Sequence, residues 1–143
     1  MIAPVCECDI NAAIWAFCIS IIAHDIRDTA VLHKKLDSYE CMSLTAEEYL
    51  VFTNRFFVLD RTRINYWLEL QCADNSTTVK LTRINYWYEE ERDGGIKFSA
   101  EEMITDENAF NKKGKLLKDQ GKFRRKTIDF FEECVEQISQ QLN

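Results

Sequence analysis

The sequence predicts an α+β fold in a single domain: an N-terminal helical pair, a three-strand antiparallel meander and a long C-terminal helix. Three observations carry this expectation. The 143-residue chain has one Pro and four Gly, where average usage would place about seven and about ten, so long elements joined by few loops follow. Apolar residues recur at helical spacing near both ends of the chain. Between them lies a stretch rich in aromatic and β-branched residues, in which the hexapeptide Thr-Arg-Ile-Asn-Tyr-Trp occurs at 62–67 and again at 82–87. A hydrophobic content of 46% with 29% charged residues excludes a disordered or low-complexity chain.

The first helix is expected over 9–36. Asp9 is a good N-cap, and Ile10, Ile14, Phe17 and Ile21 form one stripe. Residues 10–23 are apolar nearly all round, which suits a central buried helix. That run is shorter than the roughly 20 residues needed to cross a membrane. The first nine residues carry two acids and no Lys or Arg, so a secretory leader is not expected. With that, the six cysteines read as reduced, cytoplasmic thiols. Cys6 and Cys8 form the one close pair, without the further ligands of a closed zinc site, so neither metal nor cofactor is expected.

A second helix is expected over 46–60. Thr45-Ala46-Glu47-Glu48 has the spacing of a capping box, and Tyr49, Phe52, Phe56 and Leu59 would form its buried face. The meander then occupies 62–98, with strands near 62–72, 77–91 and 96–98 and turns at Asp74-Asn75 and Asp93-Gly94-Gly95. Two registers compete. One sets Leu68 opposite Leu81, Leu70 opposite Val79 and Glu69 opposite Lys80. The other pairs Arg63 with Trp87, Trp67 with Arg83 and Ile64 with Tyr86. A β-bulge near Trp67 or Thr82 reconciles them.

The last segment, 106–142, is read as helical, most firmly from Phe123 onward. Gly114 and Gly121 each cost about 1 kcal/mol in a helix interior; they either hinge one long helix or permit a close approach. The order of charges favours a start near Asp106, because a start at Lys122 would put bases at the positive end of the helix. The four-three spacing of the apolar seam also fits a homodimer.

The net charge of −6 is unevenly spread. Residues 1–60 hold four basic and nine acidic groups, whereas 112–126 hold eight basic and one acidic. Lys112, Lys113, Lys115, Lys118, Lys122, Arg124, Arg125 and Lys126 form a candidate anion-binding segment for a nucleic acid or a phosphorylated ligand. Its ordinary alternative is a solvated helix face balanced by Glu101, Glu102, Glu132 and Glu133. If Ile64, Tyr66, Leu68 and Leu70 face the core, alternation sends Arg63, Asn65 and Trp67 outward. With Arg83 and Trp87 of the second copy, they make a candidate partner-binding face of hot-spot composition.

Catalytic motifs are sparse. No Gly-rich phosphate loop and no Gly-x-Ser-x-Gly elbow is present. His24 and His33 are nine residues apart, half a turn out of phase on one helix, so they cannot share a metal there. His24-Asp25 resembles the paired ligands of HD-type phosphohydrolases but lacks their further His. Arg27 and His33 stand at the Arg-x5-His spacing of HEPN-type ribonucleases, which gives a ribonuclease as a third reading. By elimination, the leading expectation is a small cytoplasmic, non-catalytic domain that binds another protein. An inhibitor, antitoxin or immunity protein that masks a partner's active surface is the type, and the acidic first half suits a basic partner such as a nuclease. No membrane partner is expected.

Overall fold

The computed structural model describes residues 2–6, 31–37, 39–56, 58–73 and 76–142. Among the described residues six strands come first: β1 (Ile2–Cys6), β2 (Val31–Asp37), β3 (Tyr39–Arg55), β4 (Val58–Ala73), β5 (Ser76–Tyr88) and β6 (Ile96–Ser99). Two single-turn helices follow, α1 (Ala100–Met103) and α2 (Asp106–Ala109), then the long helix α3 (Lys118–Leu142). The sheet has the order β1-β5-β4-β3-β2, with β6 on β5. The fold is α+β, an antiparallel sheet followed by one long C-terminal helix.

No helical pair is shown among the described residues. Residues 46–55 of the second helix lie within β3, and residues 31–36 of the first lie within β2, which pairs antiparallel with β3 from Val31↔Thr45 to Asp37↔Tyr39. Residues 9–30 of the first helix are outside the described residues. Along β3, Leu44, Ala46 and Leu50 are buried while Tyr49 and Val51 are exposed, which is period two and not period 3.6. Phe56, expected inside, is 89% exposed. His33 therefore sits on a strand opposite Ser43, and its partner in the ribonuclease reading, Arg27, is outside the described residues.

The meander is present, with its second strand ending at Tyr88 instead of 91. Along β4 the buried residues are Thr62, Ile64, Tyr66, Leu68 and Leu70, all even. Along β5 they are Val79 and Leu81, then Ile84 and Tyr86. Their parity slips by one between Leu81 and Ile84, where Arg83 has φ 50. A positive φ beside a one-residue slip is the mark of a bulge, and it falls at Thr82, one of the two expected places.

The expected helix from 106 is interrupted between Ala109 and Lys118. Phe110 and Leu116 form an isolated bridge, Asn111 Oδ1 accepts the backbone N–H groups of Lys113 and Lys115 at 2.9 and 3.0 Å, and Gly114 turns the chain at φ 72. Gly121 instead lies inside α3, where a Cβ would stand 2.8 Å from Leu116 Cγ. One glycine breaks the segment and the other admits a close neighbour.

The chain forms two compact units. The first comprises Met1–Glu47, Tyr66–Thr82 and Phe131–Asn143. In it β1 pairs with β5 from Ile2↔Lys80 to Cys6↔Ser76, and its buried side chains include Leu44, Tyr66, Leu68, Leu70, Val79, Leu81, Phe131 and Ile138. The second comprises Glu48–Asn65 and Arg83–Phe130. Its buried side chains include Leu50, Ile64, Ile84, Tyr86, Met103, Phe123 and Phe130. Phe123 sits among four rings, with centroids 4.7 Å from Phe52, 5.0 Å from Tyr86, 5.5 Å from Tyr88 and 6.1 Å from Phe98. Tyr86 and Thr127 exchange a buried hydrogen bond of 2.7 Å between their hydroxyls, and burial pushes the Tyr86 phenol up to about 12.

Candidate partner-binding face

The second unit presents the site. Its even-numbered strand residues Phe52, Tyr86 and Tyr88 meet Phe123 on the side that α3 covers. Alternation sends Tyr49 of β3, Arg61 and Arg63 of β4, and Trp87 of β5 to the opposite face. Lys97 of β6 pairs in register with Trp87 and joins them.

These five side chains form a continuous ladder of cations and rings across four strands. The Arg61 guanidinium lies 4.2 Å from the Tyr49 ring centroid, and that of Arg63 lies 5.4 Å from Tyr49 and 5.2 Å from Trp87. Lys97 Nζ is 4.9 Å from the Trp87 ring. All fall within the roughly 6 Å over which a ring face attracts a cation, each contact worth about 0.5–1 kcal/mol when exposed. The bulge makes the ladder possible, because without the slip at Thr82 the second hexapeptide would turn Trp87 to the helix side.

A hydrogen-bonded triangle anchors the centre. Arg63 Nη2 donates to Tyr49 Oη at 3.0 Å and stands 2.9 Å from Glu90 Oε2, while the Tyr49 hydroxyl donates to Glu90 Oε1. Burial alone would lower the Arg63 pKa, but its bonds to Tyr49 and Glu90 outweigh that and raise it. Burial would raise Glu90, yet Tyr49 and Arg63 hold its carboxylate below the usual range. Both groups are therefore charged at neutral pH. Arg61 adds an ion pair to Glu91 at 2.7 Å.

The loop after β5 fixes the position of Trp87. Arg92 N donates to Glu89 O and Gly95 N to Arg92 O, each at 2.8 Å, and Asp93, Gly94 and Gly95 all have positive φ. Trp87 Nε1 donates to Gly94 O at 2.7 Å. A groove of about 330 Å³ runs beside this loop, lined among others by Tyr49, Asp60, Arg63, Trp87, Tyr88 and Glu90. Its carboxylates are engaged: Glu90 by Arg63, Glu91 by Arg61, Glu89 by Arg92 Nη1 at 3.4 Å, and Asp60 by Lys122 Nζ at 2.9 Å.

Of the residues singled out in the sequence, the structure brings Arg63 and Trp87 together. Asn65 is half-buried and Arg83 exposed in the same unit, with Asn85 Nδ2 donating to Arg83 O at 3.1 Å. Trp67 belongs to the first unit, where it is half-buried. Tyr49, Arg61, Glu90 and Lys97 escaped sequence reasoning. Tyr49 was assigned to a helix, whereas outward parity with Arg63 and Trp87 could have found Arg61 and Lys97.

The side chains of the basic segment divide between ion pairs within the chain and solvent. Lys122 bonds Asp60 Oδ2 and Tyr88 Oη, both at 2.9 Å, and lies 4.8 Å from the Phe52 ring. Burial would lower its pKa, but Tyr88 and Asp60 raise it. Arg124 pairs with Asp106 at 2.7 Å and covers the Phe110 ring at 5.1 Å. Lys112, Lys113, Lys115, Lys118 and Arg125 are exposed, and Lys126 is half-buried. No cluster of His, Cys, Asp and Glu fit to hold a metal occurs among the described residues, and no helix among them is long and apolar enough to cross a membrane.

Residues 27–87 match the model of a domain of unknown function, DUF4468, described as having a TBP-like fold. The matched span takes in β2 to Trp87 of β5 and both copies of the hexapeptide. A DUF4468 family protein from Bacteroides ovatus is similar over the whole chain and 85% of its own, with a TM-score of 0.85 at 23% identity. A TBP-like protein from Parabacteroides distasonis is similar over the whole chain and 93% of its own, with a TM-score of 0.67 at 19% identity. At these identities the likeness is one of fold. No curated protein matches the chain.

Proposed function

We propose that the chain is a non-catalytic binding domain that captures another protein on the outer sheet face of its second unit. The observation that carries this reading is the ladder from Arg61 to Lys97. Arg, Tyr and Trp are the residue types that dominate binding energy at interfaces. Here they are already held by hydrogen bonds and ring contacts, so little side-chain freedom remains to be lost on association. The acids of the groove beside the ladder are ion-paired, which holds the rim of this face in place. Glu91, whose side chain is 76% exposed, sets an acidic group beside the cations. A partner surface of mixed charge fits such a face.

Affinity capture from the native cell with three baits tests the reading: the parent, the double variant Arg63→Ala/Trp87→Ala, and Lys112→Glu/Lys113→Glu/Lys115→Glu/Lys118→Glu. A protein held by the parent and the lysine variant but lost by the double variant supports it. Retention by the double variant overturns it. If instead the parent binds RNA or DNA with a steep salt dependence that the lysine variant loses, the loop and first helical turn are the site. The diversion of Lys122 and Arg124 into internal ion pairs weighs against that second reading.

A further inference from the structure

We infer that the tip of the β3–β4 hairpin inserts into the surface of a bilayer carrying anionic headgroups, with the exposed lysines of 112–118 set against those headgroups. The proposal does not rest on the reading of the outer sheet face, and every residue it uses belongs to the second unit. A strand packed on one face shows burial that alternates along the chain. Here that pattern stops: Asn54, Arg55, Phe56, Val58 and Leu59 are all exposed, and full burial returns only at Thr62. Both faces of the hairpin end therefore meet solvent, and the tip projects past the part of the sheet that packs on Phe123. Phe56 is 89% exposed, and Val58 and Leu59 are 56% exposed each. Ile96, 52% exposed, adds an apolar group beside Tyr88 of β5. Apolar residues exposed singly are ordinary; several at one turn mark a contact surface.

Contacts along α3 put basic residues at the same end. Lys122 and Tyr88 both bond Asp60, and Thr127 bonds Tyr86, two residues back along β5. The helix thus enters at the Asp60 end of the sheet. Lys118, one turn before Lys122, stands about 6 Å further out, in the direction in which β4 leads back from Asp60 to Leu59 and Val58. Lys112, Lys113 and Lys115 occupy the turn that enters this helix; all four lysines are exposed, and 108–118 contains no acid. The acids that share the groove with Val58 and Leu59 are held in ion pairs. The second unit has 14 basic and 12 acidic side chains, against 4 and 12 in the rest of the chain, so positive charge concentrates on the unit that bears the tip. A projecting apolar tip enters its partner instead of receiving it. The bilayer interface takes up such side chains while its phosphates attract nearby lysines. A contact of this kind needs no spanning segment, so the shortness of the apolar run at 10–23 does not bear on it.

Co-sedimentation of the full-length chain with vesicles of phosphatidylcholine alone, or of phosphatidylcholine mixed with phosphatidylglycerol, tests this. The parent is expected to bind the mixed vesicles and to bind the neutral ones far more weakly. Phe56→Ser/Val58→Ser/Leu59→Ser, with its fold checked by circular dichroism, should weaken binding about tenfold or more. Lys112→Glu/Lys113→Glu/Lys115→Glu/Lys118→Glu should weaken it about a hundredfold or more, at roughly fivefold per lysine. Phe56→Trp gives a readout that does not depend on the triple variant: it should add blue-shifted emission that brominated acyl chains quench. A parent that binds neither kind of vesicle overturns the proposal and leaves the tip as a contact for another protein. Binding undiminished by the serine substitutions, or added tryptophan emission that brominated chains leave unquenched, also overturns it, because the lysines alone would then hold the chain at the headgroups.

Discussion

Replacing Gly95 by Ala probes the loop that seats Trp87. The backbone there has φ +70, a region that strains an L-residue by roughly 1–2 kcal/mol. A Cβ would also stand 2.6 Å from Glu90 Cα, 2.6 Å from Trp87 Nε1 and 2.7 Å from Tyr88 O. Two of those atoms are backbone, so no rotamer change relieves the overlap, and overpacking of this kind costs about 1–3 kcal/mol. Displacing Trp87 breaks its bond to Gly94 O, which is worth roughly 1 kcal/mol. Together these reach about 3–6 kcal/mol, a large part of the 5–15 kcal/mol that typically holds a domain folded. Gly94 is the control. Its φ is +85 but nothing lies within 4 Å of its Cβ position, so Gly94→Ala should cost only the backbone strain, about 1–2 kcal/mol. Equilibrium urea unfolding followed by far-UV circular dichroism measures both. Equal losses, or a Gly95→Ala protein as stable as Gly94→Ala, would refute the loop geometry and with it the seating of Trp87.

Other expectations are more local. The Tyr86 phenol is raised from 10.0 to about 12 by burial, so the unfolded chain releases this proton first as pH rises. Stability is then fully present below pH 10 and falls by roughly 3 kcal/mol as pH approaches 12; Tyr86→Phe should lose that part of the alkaline slope, read from urea midpoints at several pH values. Lys122→Met removes the bonds to Asp60 and Tyr88 and should cost about 1–3 kcal/mol. A double-mutant cycle with Asp60→Asn should show a coupling above about 0.5 kcal/mol, and additive losses would mean that the pair contributes nothing. Phe56→Ser should change the urea midpoint negligibly, by less than about 0.5 kcal/mol in stability, because Phe56 is 89% exposed; a core-sized loss would restore the helical reading of 46–60.

The helical reading of 46–60 failed for an instructive reason. Thr45-Ala46-Glu47-Glu48 and Ser99-Ala100-Glu101-Glu102 carry the same signal. At 99–102 the capping box forms: Glu102 N donates to the Ser99 side chain, and Ser99 N donates to Glu102 Oε2 at 2.8 Å. At 45–48 the same pattern lies inside a strand of 17 residues. Capping supplies about 1 kcal/mol, too little to resist a strand whose alternate residues Leu44, Ala46 and Leu50 are buried. The candidate site was legible in part. Arg63 and Trp87 followed from alternation and the repeat, whereas Tyr49 and Glu90 reach the site from residues 41 apart in the chain, a separation that no local pattern encodes.

By itself the sequence determined those features that depend on near neighbours: the meander, its glycine turn, the apolar face of the last helix and the outward parity of Arg63. The duplicated hexapeptide and its conflict of registers also pointed to a bulge, and the parity of buried residues slips at Thr82. Only the tertiary structure decided that β3 is a strand, that the basic segment divides between internal ion pairs and solvent, and that Gly114 and Gly121 do different things. In each case the deciding energy comes from groups distant in sequence: a neighbouring strand for β3, Asp60 for Lys122, Leu116 packed against Gly121. Local propensities of a few tenths to about 1 kcal/mol per residue yield to such contacts once the chain is packed.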